Sequence, residues 1–422
     1  MMLKKLKIER FKSIYEAELN FGCANIFVGP NGAGKSNVLE AIGIVASALS
    51  RGMDQNALDL RGVRLSLPHL FKSAFKNAKL PAAFHISAKF EHGTYECSIR
   101  SGVNSPYLEF HSEAMFDGDQ KVFGRGPRGA RIYGQNSILN EIDLSAMDTH
   151  RSIWDILGSI LKISDDFRSE INDFSNFAIY APQTAVMRGL AIDARVMEPL
   201  GLTGSGLAQA FQDVLGARVN ASNRFRIDDI LSIIWKPGWA DSVRVRPFDP
   251  NIVPPQVRSE GALIYIRDKF MNSKRNFVSP FDASEGTLYL IFVATLLAHK
   301  DAPKVFALDN VDGTLNPDLV RKLTDHIVRI SSSGGEADVD VGQQVFMTSH
   351  HPSALDSFDI FNNNHSIFTV NRSGEKMQPQ GATAFRDIRP PKGMTQDDWV
   401  LNHKGKNLSQ LLLEGRIPGA LF

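Results

Sequence analysis

The stretch ANIFVGPNGAGKS, residues 24–36, decides the fold class of this 422-residue chain. Its first five residues are a short apolar run, which is typical of a strand buried in a sheet. A glycine-rich turn follows, and from Lys35 to Leu49 the apolar residues recur at helical spacing. A strand, a turn of the form GxxxxGK followed by Ser, and a helix together predict a phosphate-binding loop.

The spacing within this loop suits a nucleotide. Glycines let successive backbone N–H groups turn toward one point and surround phosphate oxygens, and the start of the following helix favours negative charge. In such a loop Lys35 reaches the β- and γ-phosphates of ATP, and the Ser36 hydroxyl ligates Mg²⁺. The residues predicted to contact ATP here are Gly29, Asn31, Gly32, Ala33, Gly34, Lys35, Ser36 and Asn37.

Composition and charge exclude several classes of protein. The chain has 47 Lys and Arg against 46 Asp and Glu, so it has no strongly basic coat for nucleic acid, although local basic patches are still allowed. Its two cysteines, Cys23 and Cys97, cannot build a disulfide framework or a multi-cysteine zinc site. The longest apolar stretch, residues 288–298, is about half of the ~20 residues that a membrane helix needs. We expect a cytoplasmic protein without a membrane partner.

Outside the loop, the pattern predicts an α/β protein with a mostly parallel sheet, an antiparallel β lobe and a helical insertion. Short apolar strands alternate with helices in the last third, which favours a parallel sheet. Alternation over residues 82–110 predicts an antiparallel meander. Residues 117–134, rich in Gly and Arg, predict an exposed loop, and helical patterns dominate at 148–172 and 206–235. The absence of sustained heptads argues against a coiled-coil arm.

A second motif, VFALD at residues 305–309, is an apolar strand that ends in a carboxylate. In nucleotide-binding proteins with a phosphate-binding loop, an Asp at this place holds Mg²⁺ through water. We therefore predict that Asp309 and Ser36 serve the same metal ion. The next residue is Asn310.

Several motifs follow one another along the chain in the same order as in one protein family, and they add a specific resemblance to that family. Residues 7–42 resemble the N-terminus of ABC-type ATPases of the RecF/SMC group, and SEGTL at 284–288 resembles their signature motif. Asp309 with LNP at 315–317 resembles their Walker B motif and D-loop, and TSH at 348–350 resembles their switch-histidine element. The resemblance is strongest to the short ATPases that accompany effectors in bacterial anti-phage defence, such as PtuA and AriA.

The resemblance implies that two heads bind face to face across ATP, as a homodimer or a higher oligomer. The Ser284 hydroxyl and the Gly286 amide of one subunit would then touch the γ-phosphate held by Lys35 of the other. The alternative for Ser284 is an ordinary helix N-cap. The resemblance also implies that Gln183 senses magnesium and that Lys12 lies near the nucleotide. A plain loop glutamine and a solvated surface lysine are the respective alternatives.

One residue departs from the family pattern. The family has Glu directly after the Walker B Asp, as the general base for the attacking water, whereas this chain has Asn310. An amide cannot take up a proton, although it can position water. Asp312, His350 or His351 could substitute as the base. We therefore expect ATP binding with slow hydrolysis, with Asp309, Asn310 and His350 as the residues closest to the chemistry.

Two weaker signals concern nucleic acid. Arg125, Arg128 and Arg131 could grip phosphates of DNA or RNA, although a solvated loop is the favoured interpretation. Asp338 and Asp340 form a DxD in a Ser/Gly-rich connector, and the lack of a preceding strand argues against a metal nuclease.

We divide the chain into an N-terminal ATPase lobe at 1–115, an inserted loop and helical region at 116–240, and a C-terminal ATPase lobe at 241–422. The favoured hypothesis is an ATP-dependent sensor or scaffold that controls a partner effector, a nuclease or toxin, in anti-phage defence, with nucleic acid as a further candidate partner. The alternative is a RecF-like DNA-repair ATPase that binds duplex DNA. The near-neutral charge and Asn310 favour the first hypothesis.

Overall fold

The computed structural model describes residues 3–101, 107–141, 147–193, 195, 198–216, 231–254, 261–332, 342–372 and 378–417. The chain divides into two compact units. The first comprises Met1–Ile179, Pro303–Asp309 and Ile330–Phe422, and the second comprises Tyr180–Ala302 and Asn310–Arg329. The three-segment division made from the sequence stays a prediction.

The strands are β1 (Lys5–Phe11), β2 (Ile14–Asn20), β3 (Ala24–Val28), β4 (Ala83–Lys89), β5 (Gly93–Ser101), β6 (Leu108–Asp117), β7 (Gln120–Gly126), β8 (Gly129–Ile132), β9 (Ala178–Tyr180), β10 (Ala240–Arg246), β11 (Leu263–Asp268), β12 (Phe277–Val278), β13 (Val305–Leu308), β14 (Gln344–Ser349), β15 (His365–Arg372) and β16 (Thr383–Asp387). The helices are α1 (Lys35–Ala48), α2 (Gln55–Asp59), α3 (Ile153–Leu157), α4 (Asp165–Ser175), α5 (Thr184–Met187), α6 (Leu207–Gly216), α7 (Glu285–Ala298), α8 (Pro317–Ser332), α9 (Gln396–Asn402) and α10 (Leu408–Leu413).

The first unit contains an antiparallel sheet with the strand order β2-β1-β4-β5-β6-β7-β8. Side chains on β4 and β5 alternate between buried and partly exposed positions, as in a sheet with one face on the core. The prediction of a loop at 117–134 is wrong, because β7 and β8 form a hairpin there. Val122, Phe123 and Ile132 are buried and hold this hairpin on the core, and the interspersed glycines hid that alternation in the sequence.

The second sheet of this unit has the strand order β16-β15-β3-β14-β13-β9. Strand β3 pairs in parallel with β14 and β15, and β13 pairs in parallel with β14, whereas β16 runs antiparallel to β15. The predicted mostly parallel sheet is confirmed. Helix α1 contacts strands of both sheets, and each of its residues except Ser36 is buried. Phe27 and Phe368 stack at 5.1 Å between ring centroids in the core beneath it.

The second unit combines helices α5, α6 and α7 and most of α8 with a small antiparallel sheet, β10-β11-β12. Helix α7 is apolar and buried from Thr287 to Leu297, and α6 packs against it. Of the helical pattern predicted at 206–235, the structure describes α6 and a 3₁₀ turn at Ser232–Trp235, and residues 217–230 lie outside the described chain. Asp338 and Asp340 also lie outside it.

The helical segment predicted at 148–172 is split. Helix α3 and helix α4 occupy part of it, with residues 158–164 between them. Ser152 caps α3 by accepting a hydrogen bond from the Asp155 amide, and such a cap fixes a helix start that apolar periodicity alone does not locate. None of the described helices combines the length and the apolar content that crossing a membrane requires.

Candidate nucleotide-binding site

The loop between β3 and α1 has the backbone of a phosphate-binding loop. A Cβ atom at Gly29 would lie 2.0 Å from the Val370 carbonyl oxygen, so only glycine fits beside β15. Gly34 has φ = 104°, and a Cβ atom there would meet the Thr383 hydroxyl at 2.3 Å. Among the described residues, no side chain caps the start of α1, which leaves that end to an anionic ligand. Asn31 lies at the exposed tip.

Lys35 points into the concave side of this loop. Its Nζ atom donates to the Gly29 carbonyl oxygen at 2.8 Å and to the Pro30 carbonyl oxygen at 3.0 Å. The residue is 5% exposed. A buried ammonium held by neutral carbonyl oxygens has a strong electrostatic preference for an anion at the same place. This donor fits the β- and γ-phosphates of ATP.

Three oxygen-bearing side chains meet at the carboxyl ends of β13 and β14. The Ser36 hydroxyl lies 3.0 Å from both carboxylate oxygens of Asp309, and the Thr348 hydroxyl donates to the same carboxylate at 2.5 Å. Hard oxygen ligands of this kind suit Mg²⁺, which is usually held by one or two protein oxygens together with phosphates and water. Ser36 and Asp309 would therefore hold the ion, which, when bound, neutralises charge on the phosphates.

His350 also faces the loop. Its Nδ1 atom is 2.9 Å from Lys35 Nζ. Nδ1 also lies 3.3 Å from the Gly29 carbonyl oxygen, so the ring tautomer decides whether it accepts from Lys35 or donates to Gly29. His351 is committed elsewhere, since its ring caps the 3₁₀ helix Pro352–Ser357 by accepting from the Ser353 amide. Of the two histidines considered as the base, His350 is the one with observed contacts to the loop residues Lys35 and Gly29.

A polar network flanks α1 within the first unit. The Lys12 ammonium pairs with the Glu40 carboxylate, which also accepts from Arg64. Burial lowers the pKa of Lys12, and the charge of Glu40 opposes that shift. The interpretation of Lys12 as a solvated lysine is therefore wrong, and its contact with nucleotide stays a prediction. The amide of Asn37 donates to the Ser13 hydroxyl at 2.7 Å and accepts from Arg64.

Glu40 and Arg64 were missed in the sequence. A signal for Glu40 exists, because it is the one acidic residue of α1 and lies one turn after Ser36. A buried carboxylate at that place requires a cationic partner. No comparable signal identifies Arg64.

The second unit holds the other predicted site residues. Ser284 is the N-cap of α7, and its hydroxyl accepts from the Thr287 amide at 3.2 Å. A Cβ atom at Gly286 would lie 3.1 Å from both Leu315 and Thr314, so glycine lets the helix approach the predicted D-loop closely. Gln183 precedes helix α5, and its backbone N–H donates to the Thr203 carbonyl oxygen. The nucleotide-related roles of Ser284, Gly286 and Gln183 stay predictions.

Arg188, at the end of α5, was not singled out in the sequence. Its guanidinium donates to the Pro280 carbonyl oxygen at 3.0 Å and to the Ala283 carbonyl oxygen at 2.9 Å. These two bonds fix the backbone immediately before Ser284. The planar fork of Arg suits two acceptors in one segment, so Arg188 is a positioning residue for the start of α7.

Asn310 has a left-handed backbone, with φ = 61°. Its carbonyl oxygen accepts from the Gly313 amide at 3.0 Å, which closes a tight turn after β13. Apart from glycine, Asn is among the residues that adopt this conformation most readily. The turn therefore gives a conformational reason for Asn at this position, in addition to any effect on catalysis.

Two family models match the chain. The AAA_21 model, described as "AAA domain, putative AbiEii toxin, Type IV TA system", matches residues 143–356, slightly more than half of the chain. A model described as "AAA ATPase domain" matches residues 1–110.

Relatives resemble the chain in part. A 51-residue segment is 53% identical to the DNA replication and repair protein RecF of Magnetococcus marinus, and a 65-residue segment is 37% identical to RecF of Bacteroides fragilis. These segments are 12% and 15% of this chain and 13% and 17% of the two RecF proteins, so the matches span less than a fifth of either relative.

A solved structure resembles the whole fold. The SmcHead bound to the C-winged helix domain of ScpA superposes over 93% of this chain and 99% of that one, with a TM-score of 0.52 and 15% identity. This likeness confirms the α/β fold of an ABC-type ATPase head. Together with the family matches and the loop geometry, it leads to the conclusion that the chain belongs to the AAA domain family of the AAA_21 model and is a RecF/SMC-like, ATP-binding ABC-type ATPase.

Proposed function

We propose that this ATPase forms nucleotide-sandwiched head-to-head dimers that control a partner effector, a nuclease or toxin, in anti-phage defence. The observation that carries the proposal is the pairing of Ser36 with Asp309, followed directly by Asn310. The chain has the groups that hold Mg²⁺ and phosphates, but an amide stands where the resemblance leads us to expect the general base. Such a site is suited to retaining ATP, and a retained nucleotide is a stable element of an assembly.

The start of α7 supports the dimer. The Ser284 hydroxyl and the amides of the first turn of α7 form a polar helix terminus, and Arg188 holds the preceding backbone. An anion at such a terminus is favoured by about 0.3–1 kcal/mol at an exposed site. The γ-phosphate held by Lys35 of a second copy would supply that anion.

Two comparisons support a protein partner. The family description names a toxin of a toxin–antitoxin system. The SmcHead of similar fold is bound to a winged-helix domain of another protein. Both make a docked partner a reasonable expectation for this head. The partner's identity as a nuclease or toxin rests on the resemblance to defence ATPases.

The mass and nucleotide content of the natively purified complex test the proposal. We expect an even number of heads, a partner in fixed stoichiometry and ATP rather than ADP in the sites. The Lys35→Ala variant should lose both the nucleotide and the assembly. A wild-type chain that stays monomeric with bound ATP would contradict the dimer, and an ATP-loaded dimer without a partner would contradict control of an effector.

The RecF-like alternative has its own support in the two RecF segments. It predicts salt-sensitive binding of duplex DNA by the purified chain, together with steady ATP turnover. Duplex binding that requires ATP, without any partner protein, would favour DNA repair over effector control.

A further inference from the structure

A cavity of about 580 Å³ lies on the antiparallel sheet of the first unit, between β4 and the β7–β8 hairpin. We call it the basic trough. One cross-strand row forms its floor, with Glu96 opposite Ala114, Ala114 opposite Gly124, and Gly124 opposite Arg131. The residues in the middle of this row are small, and the flexible Lys121 side chain lies over Gly124, where its Nζ atom would be 2.9 Å from a Cβ atom.

Three cations stand around this floor. Lys121, Arg128 and Arg131 line the trough and are exposed. Within the described ranges, none of the three forms an ion pair with a carboxylate. Cations held near one another without counter-charges repel, and a bound polyanion removes that repulsion.

The fourth cation of the trough differs from these three. Arg125 is 8% exposed and pairs with the buried Glu113 carboxylate at 2.7 Å. The remaining acid, Glu96, accepts from the Ser87 hydroxyl. Four cations and two carboxylates therefore line the trough, which leaves an excess of two positive charges. The whole chain has an excess of one, so the positive charge is concentrated locally.

An aromatic ring lies among the cations. The Tyr133 ring centroid is 5.2 Å from Lys121 Nζ and 5.6 Å from Arg131 Cζ, and the ring lines the trough. A positively charged groove with an aromatic ring is the arrangement that binds single-stranded nucleic acid, because the groove follows the phosphates while bases stack on the ring. Duplex reading instead needs an element that protrudes into a groove of the DNA, and the trough is concave.

We propose that the basic trough binds single-stranded nucleic acid, with Lys121, Arg128 and Arg131 contacting consecutive phosphates and Tyr133 stacking on a base. The proposal uses only the antiparallel sheet and goes beyond the proposed ATP-dependent function. It differs from the favoured interpretation of these arginines as part of a solvated loop, because the β7–β8 hairpin brings the three cations to the lining of one cavity.

Fluorescence anisotropy with the full chain and a labelled oligonucleotide of about 12 nucleotides tests this site. Three phosphate contacts on a single strand predict about 20-fold weaker binding at 200 mM than at 50 mM salt. Lys121→Ala, Arg128→Ala and Arg131→Ala combined should weaken binding at 50 mM salt at least ~10-fold and remove most of this salt dependence.

A matched triple variant controls for the loss of charge. Lys76, Lys79 and Lys300 are exposed and lie outside the trough, so replacing all three by Ala should leave binding unchanged. Arg128→Lys with Arg131→Lys keeps the charge and should retain the salt dependence. Equal melting temperatures of parent and variants would show that the sheet is intact.

Three results would overturn the proposal: no binding at 50 mM salt, equal loss in both triple variants, or tighter binding of the matching duplex. Lys35→Ala should bind the oligonucleotide as the parent does, even though it fails to bind ATP. This result separates the trough from the ATP site, so a failure of one assignment leaves the other standing.

Discussion

Lys35 is the single side chain on which nucleotide affinity depends most. It is buried and donates to the carbonyl oxygens of Gly29 and Pro30, which a phosphate group would replace as acceptors. Lys35→Ala should abolish detectable ATP binding in calorimetry with Mg²⁺, because the loop loses the cation directed at the β- and γ-phosphates. Lys5→Ala on the nearby strand β1 removes the same charge from a half-exposed site and should bind normally. Unchanged affinity of Lys35→Ala would contradict the phosphate-binding assignment.

Asn310 lacks the carboxylate that a general base needs, and its backbone is left-handed. We expect slow parental hydrolysis, and Asn310→Glu should raise phosphate release by about 10²–10⁴-fold, the usual contribution of a general base. Glu in this conformation costs about 1–2 kcal/mol, so some stability should be lost. Asn310→Gly is the matched control, because it fits the turn but adds no carboxylate. Its turnover should stay at the parental level.

A different outcome would assign the base elsewhere. If the parent hydrolyses ATP quickly, and His350→Ala or Asp312→Asn abolishes that activity, the base is already present and Asn310→Glu gains little. His350 lies at the loop, with its Nδ1 atom 2.9 Å from Lys35 Nζ. Phosphate release is measured for the parent and these variants. Fast parental release that either variant loses would reject the scaffold hypothesis.

The pair of Glu113 and Arg125 is a third residue-scale case, because both side chains are buried. Burial raises the pKa of Glu113, and the Arg125 guanidinium opposes that shift. Glu113→Gln should lower the free energy of unfolding by about 3–5 kcal/mol in urea titration, because it leaves a buried cation without its carboxylate. Glu109→Gln on the same strand breaks the exposed pair with Arg100 and should cost less than about 1 kcal/mol. Equal losses would contradict this account.

At the scale of elements, Arg188 links two segments that are distant in sequence. Arg188→Gln should release the backbone at Pro280 and Ala283 and weaken ATP-dependent association about 10-fold, since a hydrogen bond from a charged donor contributes about 1.5–3 kcal/mol. The Kd for ATP should change less than twofold, because Lys35 and Ser36 are untouched. Arg275→Gln, an exposed site in the same unit, serves as the control. An altered Kd with unchanged association would contradict a positioning role.

Elements with strong local signals were predictable from the sequence. Strands β3 and β13 have the predicted boundaries, and α1 ends one residue earlier than predicted. The apolar runs of these strands are long enough to identify a fully buried strand. The β7–β8 hairpin was not predictable, because glycines replace outward side chains and the decisive pair of Arg125 with Glu113 is a contact between strands.

The candidate site likewise contains residues that the sequence identified and residues that it did not. Lys35, Ser36 and Asp309 were identified because sequence spacing fixes which backbone and side-chain groups face the phosphates. The Thr348 contact with Asp309 and the Arg188 contacts were not identified, because no motif relates these pairs and they depend on tertiary packing. Local patterns therefore predict what binds the ligand, whereas the groups that orient these residues depend on tertiary contacts.

At the scale of the whole molecule, the proposed dimer joins the first unit of one copy to the second unit of the other through ATP. Ser284→Arg should leave ATP affinity intact, because Lys35 and Ser36 are in the first unit. It should block closure, because the larger, charged side chain stands where the γ-phosphate contact is expected. Light scattering with ATP and Mg²⁺ would show a dimer for the parent and a monomer for the variant.

Ser284→Thr provides the matched control for this prediction. Thr keeps the hydroxyl that caps α7 through the Thr287 amide, and Thr is among the favoured N-cap residues, so helix stability and association should both be retained. A nucleotide-free run of each protein separates closure across ATP from any constitutive contact. If Ser284→Arg associates with ATP as the parent does, while both are monomeric without it, Ser284 does not lie at the ATP-bridged interface. If instead both variants lose association and melt early, the helix cap, rather than the interface, explains the loss.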